Sequence, residues 1–157
     1  MSLTIGGDGA EWKLFGRKAQ TGGDILFRSR TQVPAVQAYA LANPMVRIRF
    51  ALAGARGDFE QSLLSALERA NAEAYLLATI ASDGNRDLFF AARDPKQLRE
   101  AIDAADNPDK LVIQFAPIPD ADRSKFIGML TLTPEMEKAA FAKGNARAMP
   151  FPGRPQS

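Results

Sequence analysis

The clearest pattern along the chain runs from Met45 to Leu52. Val46, Ile48, Phe50 and Leu52 are apolar, with Arg47, Arg49 and Ala51 between them. A period of two belongs to a strand with one buried face, so the apolar set is expected inward and Arg47 and Arg49 outward. Past Gly54 and Gly57 the period changes. Phe59, Leu63, Leu64, Leu67 and Ala70 recur at helical spacing and predict a helix over 59–72. Asp58-Phe-Glu-Gln61 has the form of a capping box, in which Asp58 accepts from the amide at Gln61 and Gln61 reaches back. Residues 74–81 read as a second strand, Ser82-Asp-Gly-Asn85 as a tight turn with Gly84 supplying positive φ, and 86–92 as a third strand. Asp94-Pro-Lys-Gln97 repeats the capping logic, with Pro95 at the first helical position. Leu98, Ala101, Ile102 and Ala105 form the stripe of a second helix, ended by Asn107-Pro-Asp109. Leu111-Val-Ile-Gln-Phe115 reads as a fourth strand, stopped by Pro117 and Pro119.

From 45 to 115 the expected order is strand, helix, strand, hairpin, strand, helix, strand. That is the β-α-β-β-α-β unit of a ferredoxin-like α+β fold. Right-handed crossovers would set both helices on one face of a four-stranded antiparallel sheet and leave the other face open. Ahead of this unit, 11–15 and 24–30 read as a strand pair around Gly22-Gly23. The segment 31–43, bracketed by Pro34 and Pro44, holds one or two helical turns. Behind it, a helix starting near Asp120 is expected to break at Gly128, with a new start at Thr133-Pro-Glu-Met136 and a stop at Gly144. The expected organisation is a mobile N-terminus over 1–10, one α+β domain over 11–144 and a disordered basic tail over 145–157.

Composition narrows the chemistry. The chain has 157 residues and neither cysteine nor histidine. Thiolate nucleophiles, disulfides, Cys or His metal ligands and Ser-His-Asp or Cys-His catalysis are therefore excluded within it. The N-terminus lacks the basic start and apolar run of a signal peptide, and no stretch approaches a membrane span, so a cytoplasmic location is expected. The net charge of +2 is unevenly spread: +5 over 1–56, −6 over 57–142 and +3 over 143–157. Such asymmetry bears on which faces attract anions rather than on fold.

The segment Leu77-Ala-Thr-Ile-Ala-Ser-Asp-Gly-Asn-Arg-Asp-Leu-Phe-Phe-Ala-Ala92 resembles the central hairpin of the bacterial domain-of-unknown-function family numbered 695. Its features there are a Thr-containing t-x-x-G-x-R-e turn, an aromatic strand and a helix beginning near Asp94. Glu11-Trp12 followed by Phe15 is similar to that family's W-x-x-[YF] start. The family is similar in turn to the ribonuclease E activity regulator B proteins, small ferredoxin-like inhibitors that bind protein. Asp120, Asp122 and Leu132-Thr-Pro134 match the frame of their C-terminal motif, but its Trp and Tyr are missing here. The resemblance implies a regulatory, protein-binding role and supplies no catalytic residues.

Candidate binding residues are arginines. Arg28 and Arg30 share the two-residue spacing of Arg47 and Arg49, and all four on one open sheet face would form a surface for carboxylate or phosphate; Arg86 at the hairpin would join them. The competing reading is that they pair with nearby Asp and Glu or solvate the face. Asp83-Gly-Asn-Arg86 reads as a recognition tip or simply a turn. Gly6-Gly-Asp-Gly9 follows no strand, which argues against a phosphate loop. Asp103, Asp106 and Asp109 lack the Gly and distal Glu of a calcium loop. Trp12 reads as a half-buried anchor or a stacking platform. Of Phe89 and Phe90 one should face the helices and one the open side, without an RNA-recognition motif around them. The residues thus predict a non-enzymatic binding module without cofactor or metal, engaging a protein partner through the open face or a sheet edge. The alternative is a domain binding a small anionic molecule in a pocket under 31–44; an enzyme with a carboxylate-led mechanism ranks third and nucleic-acid binding fourth.

Overall fold

The computed structural model describes residues 4–7, 11–18, 24–51, 58–82, 84–131 and 146–147. In chain order the elements are β1 (Lys13–Lys18), β2 (Asp24–Ser29), α1 (Pro34–Ala42), β3 (Met45–Ala51), α2 (Phe59–Arg69), β4 (Ala74–Ser82), β5 (Asn85–Ala92), α3 (Pro95–Ala104), β6 (Gln114–Ile118), α4 (Arg123–Leu130) and β7 (Ala146–Arg147). A 3-10 turn at Asp120–Asp122 leads into α4. This is a mixed α and β structure. Its strands form one sheet in the order β6-β3-β5-β4-β2-β1-β7, with antiparallel pairing throughout.

The alternation at 45–52 does what its period predicts. Val46, Ile48 and Phe50 are buried under α2 and α3, among Leu63, Leu67, Leu88, Phe90 and Leu98. Phe50 meets Phe59 edge-on, 5.3 Å between ring centres, which fixes the first turn of α2 against β3. Asp58 caps α2 by accepting from the Gln61 amide at 3.1 Å. The second cap departs from the expectation. Asp94 accepts from Lys96 N at 3.0 Å, and the Gln97 side chain turns away to accept from Glu73 N at 3.3 Å. A side chain expected to close its own cap thus ties α3 to the start of β4. At the hairpin Ser82 pairs with Asn85, and Gly84 has a φ of +78°, as the turn requires.

The far face of the sheet is not open. α1 and α4 lie on it, burying Val36, Ala40, Ile127 and Leu130 against Met45, Leu77, Ala78, Phe89, Ala91 and Ile118. A bulge between Leu76 and Ala78 in β4 helps by turning both Leu77 and Ala78 toward this layer. Gly128 does not interrupt α4, because a glycine inside a helix costs only about 1 kcal/mol, less than the burial of Ile127 and Leu130 returns. Tyr39 of α1 donates to Glu73 Oε2 at 2.9 Å, accepts from Arg93 N at 3.1 Å and stands edge-on to Tyr75. Burial, then the hydrogen bond to Glu73, holds its phenol well above the usual tyrosine range.

The last strand is also displaced. It was expected at 111–115 and to end before Pro117; β6 instead spans Gln114–Ile118 with Pro117 inside it. At Leu111 the chain is still turning. Lys110 has a φ of +53°, and the Asn107 side chain holds both the N–H and the C=O of Leu111 at 2.9 Å. Pro117 is tolerated because, among the described residues, β6 pairs with β3 alone and the register turns the missing N–H away from that ladder. Leu52, Gly54 and Gly57, the Asp83 of the turn, the start at Thr133, the stop at Gly144 and most of the 145–157 tail fall outside the described residues.

Candidate functional site

The five arginines do not form one surface. Arg28 and Arg86 lie on the α2 side of the sheet, where both grip Glu60: Arg28 Nη2 at 2.6 Å and Arg86 Nη1 at 3.2 Å. Arg28 also stacks over Trp12, 4.3 Å from the ring centre. Arg30 is fully buried. Its Nε donates to Leu76 O at 2.7 Å, and its Nη2 donates to Thr4 O and Ile5 O at 2.9 and 3.1 Å. Leu76 N donates in turn to Ile5 O, and Trp12 Nε1 to Gly6 O at 3.0 Å. Residues 4–7, inside the stretch expected to be mobile, are thus held over the β4 bulge by Arg30 and Trp12. Trp12 is an internal anchor, and Gly6-Gly7 belongs to this contact rather than to a phosphate loop. Gly7 has a φ of +68°, and a Cβ there would stand 2.8 Å from Arg30 Nη1.

Arg47 and Arg49 lie on the other face. Arg49 makes a two-pronged pair with Asp87, at 2.6 and 3.0 Å, and Asp87 raises its affinity for the proton further. Arg47 is half-buried beside Phe89 and Ala116 in the sheet register, and it alone of the five makes no ion pair among the described residues. The shared arginine face is therefore corrected. Alternation sends Arg28 and Arg30 to one side of the sheet and Arg47 and Arg49 to the other, and the helices then claim both sides. Of Phe89 and Phe90, Phe90 faces α2 and α3, while Phe89 points to the other side and is buried there under α4, its ring centre 6.4 Å from that of Phe126. Among the described residues no group of carboxylates is arranged to hold a metal ion, and no helix is long and apolar enough to cross a membrane.

Among the described residues, an edge of the sheet is left accessible. β6 ends the sheet on one side among the described residues. The direction of its backbone follows from one hydrogen bond. Ala92 N donates to Pro44 O at 2.9 Å, so Pro44 and Ala92 form a bonded pair of the β3–β5 ladder. Bonded pairs alternate, which turns Val46 and Ile48 toward β5, and Met45, Arg47 and Arg49 toward β6. Within β6 it is then Gln114, Ala116 and Ile118 that bond to β3. Phe115 presents N–H and C=O outward, and Pro117 presents C=O alone.

Beside this edge, between α3 and the chain entering β6, is a groove of about 330 Å³. Leu111, Ile113 and Phe115 form its half-buried floor; Ile102 and Asn107 stand at its sides. Arg99 and Asp103 mark its rim on exposed turns of α3, and the Arg99 guanidinium lies 5.1 Å above the Phe115 ring. Neither makes an ion pair among the described residues. Val112, between Leu111 and Ile113, is 81% exposed, the most exposed large apolar side chain described. The groove lies away from the 31–44 segment, where Val36 and Ala40 are packed against the sheet. The sequence held the signal for this site in the alternation Leu111, Ile113, Phe115 against Val112 and Gln114. Its meaning required knowing that among the described residues no strand lies on the outer side of β6.

Comparison of the chain with models of known families, with curated proteins and with solved structures returns no match.

Proposed function

We propose that the chain is a non-catalytic binding module that engages a protein segment through the β6 edge and its adjoining groove. The observation that carries this reading is the outward donor and acceptor of Phe115 beside half-buried Leu111 and Ile113 and exposed Val112. An unpaired strand edge is a template for another chain, and apolar positions next to it supply affinity and register. The absence of histidine and cysteine from the sequence favours binding over catalysis. Four of the five candidate arginines have acidic partners within the fold, which favours the edge over an arginine surface.

The reading includes a finer one of the fold. The four adjacent strands β6-β3-β5-β4, with α2 and α3 together on one face, support a ferredoxin-like β-α-β-β-α-β unit widened by β2 and β1 and covered behind by α1 and α4. The resemblance of 77–92 to domain family 695, and through it to the protein-binding regulator B proteins, points the same way, and the reading places the partner in the cytoplasm.

A photo-crosslinking side chain at Val112, compared with one at exposed Glu68 on α2, tests the edge. A discrete crosslinked species at Val112 that is absent at Glu68, and competed by unlabelled protein, is expected. Equal labelling at both positions, or none at Val112, rejects the reading.

A further inference from the structure

Resting on that edge reading, we infer that the protein segment seated on β6 is the β6 of a second copy of this chain, related by a two-fold axis at Phe115. The backbone argues for it first. Within β6 only Phe115 offers both N–H and C=O outward, because Gln114, Ala116 and Ile118 bond to β3 and Pro117 has no N–H. A strand seated on β6 can form a complete bonded pair only opposite Phe115, since Pro117 offers an acceptor and no donor. With a two-fold axis there, Phe115 opposite its own mate exchanges two N–H···O=C bonds, the bonded pair of an antiparallel ladder. The complete pair then lies on the axis, and each Pro117 falls two residues away from it.

The rim supplies the second argument. A two-fold contact is made by the same patch on both copies, so the patch must complement itself. Arg99 and Asp103 stand one helical turn apart on α3, opposite in sign, exposed and without an ion pair among the described residues. Joining the β6 edges brings the two α3 helices alongside each other, with Arg99 of one copy available to Asp103 of the other, twice. The same approach brings the groove floor and Val112, apolar surface accessible among the described residues, to the contact.

Two experiments on the full chain test this. In sedimentation velocity over a dilution series, the wild type is expected to associate to a dimer. Arg99→Asp and Asp103→Arg are each expected to weaken association about tenfold or more, since each turns both symmetry-related charge pairs repulsive. Arg99→Asp combined with Asp103→Arg restores it, an outcome that damage to the fold would not give. The register is read separately, since the chain has no cysteine of its own. With the axis at Phe115, Gln114 faces Ala116 of the other copy, so the double variant Gln114→Cys, Ala116→Cys forms a covalent dimer on mild oxidation and Gln114→Cys alone does not. A wild type that stays monomeric at every concentration, or a dimer indifferent to both charge reversals, overturns the inference. If the monomer still gives a discrete Val112 crosslink to a different protein, the edge reading stands and only the second copy falls; if Val112 labels nothing, both fall.

Discussion

Glu60 is the side chain whose loss should be felt most among the charged residues. Its carboxylate is one-tenth exposed and is shared by Arg28 and Arg86, which come from strands that are not neighbours. Glu60→Gln keeps the shape but removes the charge that the two guanidiniums share, so a loss of about 3 kcal/mol in urea unfolding is expected. Arg49→Ala, which breaks a pair whose arginine is 42% exposed, should cost less than about 1 kcal/mol in the same measurement. Tyr39 gives a pH signature. Its phenol binds its proton more tightly folded than unfolded, so its stabilising contribution is complete below the unfolded value near 10 and falls as pH rises through that value. Wild type should therefore exceed Tyr39→Phe in melting temperature at pH 8, and the gap should narrow above pH 10. A gap that widens there would contradict the hydrogen bonding to Glu73.

At the scale of elements, the N-terminal strap is the feature least visible in the sequence. Gly6-Gly7 reads there as loop composition; in the fold Gly7 is where the backbone passes closest to buried Arg30. Gly7→Ala combines positive φ with a 2.8 Å approach to Arg30 Nη1 and should cost about 2 kcal/mol. Gly84→Ala has the same φ penalty but nothing within 4 Å of the new methyl, and about 1 kcal/mol is expected; chemical denaturation of the two variants compares them. What was legible were elements whose periodicity is strong and local, namely β3, α2, β4, β5 and α3. β6 was displaced because the side chain of Asn107 and the left-handed Lys110 delay the strand, and because a proline reads as a stop unless the strand is known to be an edge. α1 has no marked polar face, and its proline brackets hid that it is a cover for Met45, Leu77 and Ala91.

For the molecule as a whole, the covering of both sheet faces decides where a partner can bind. The arginine pattern was readable and its interpretation was not. Alternation says that Arg28 and Arg30 share a side, and that Arg47 and Arg49 do, but only the strand order says that these are different sides. Once α1 and α4 occupy the second face, β6 is left with Phe115 outward. Residue-resolved amide hydrogen exchange on the full chain, dilute enough to be monomeric, tests this most directly. The amides of Ala116 and Ile118 are predicted to be protected by β3 while that of Phe115 exchanges rapidly, and slow exchange at Phe115 in the monomer would mean that the edge is already covered and that the proposed binding surface does not exist.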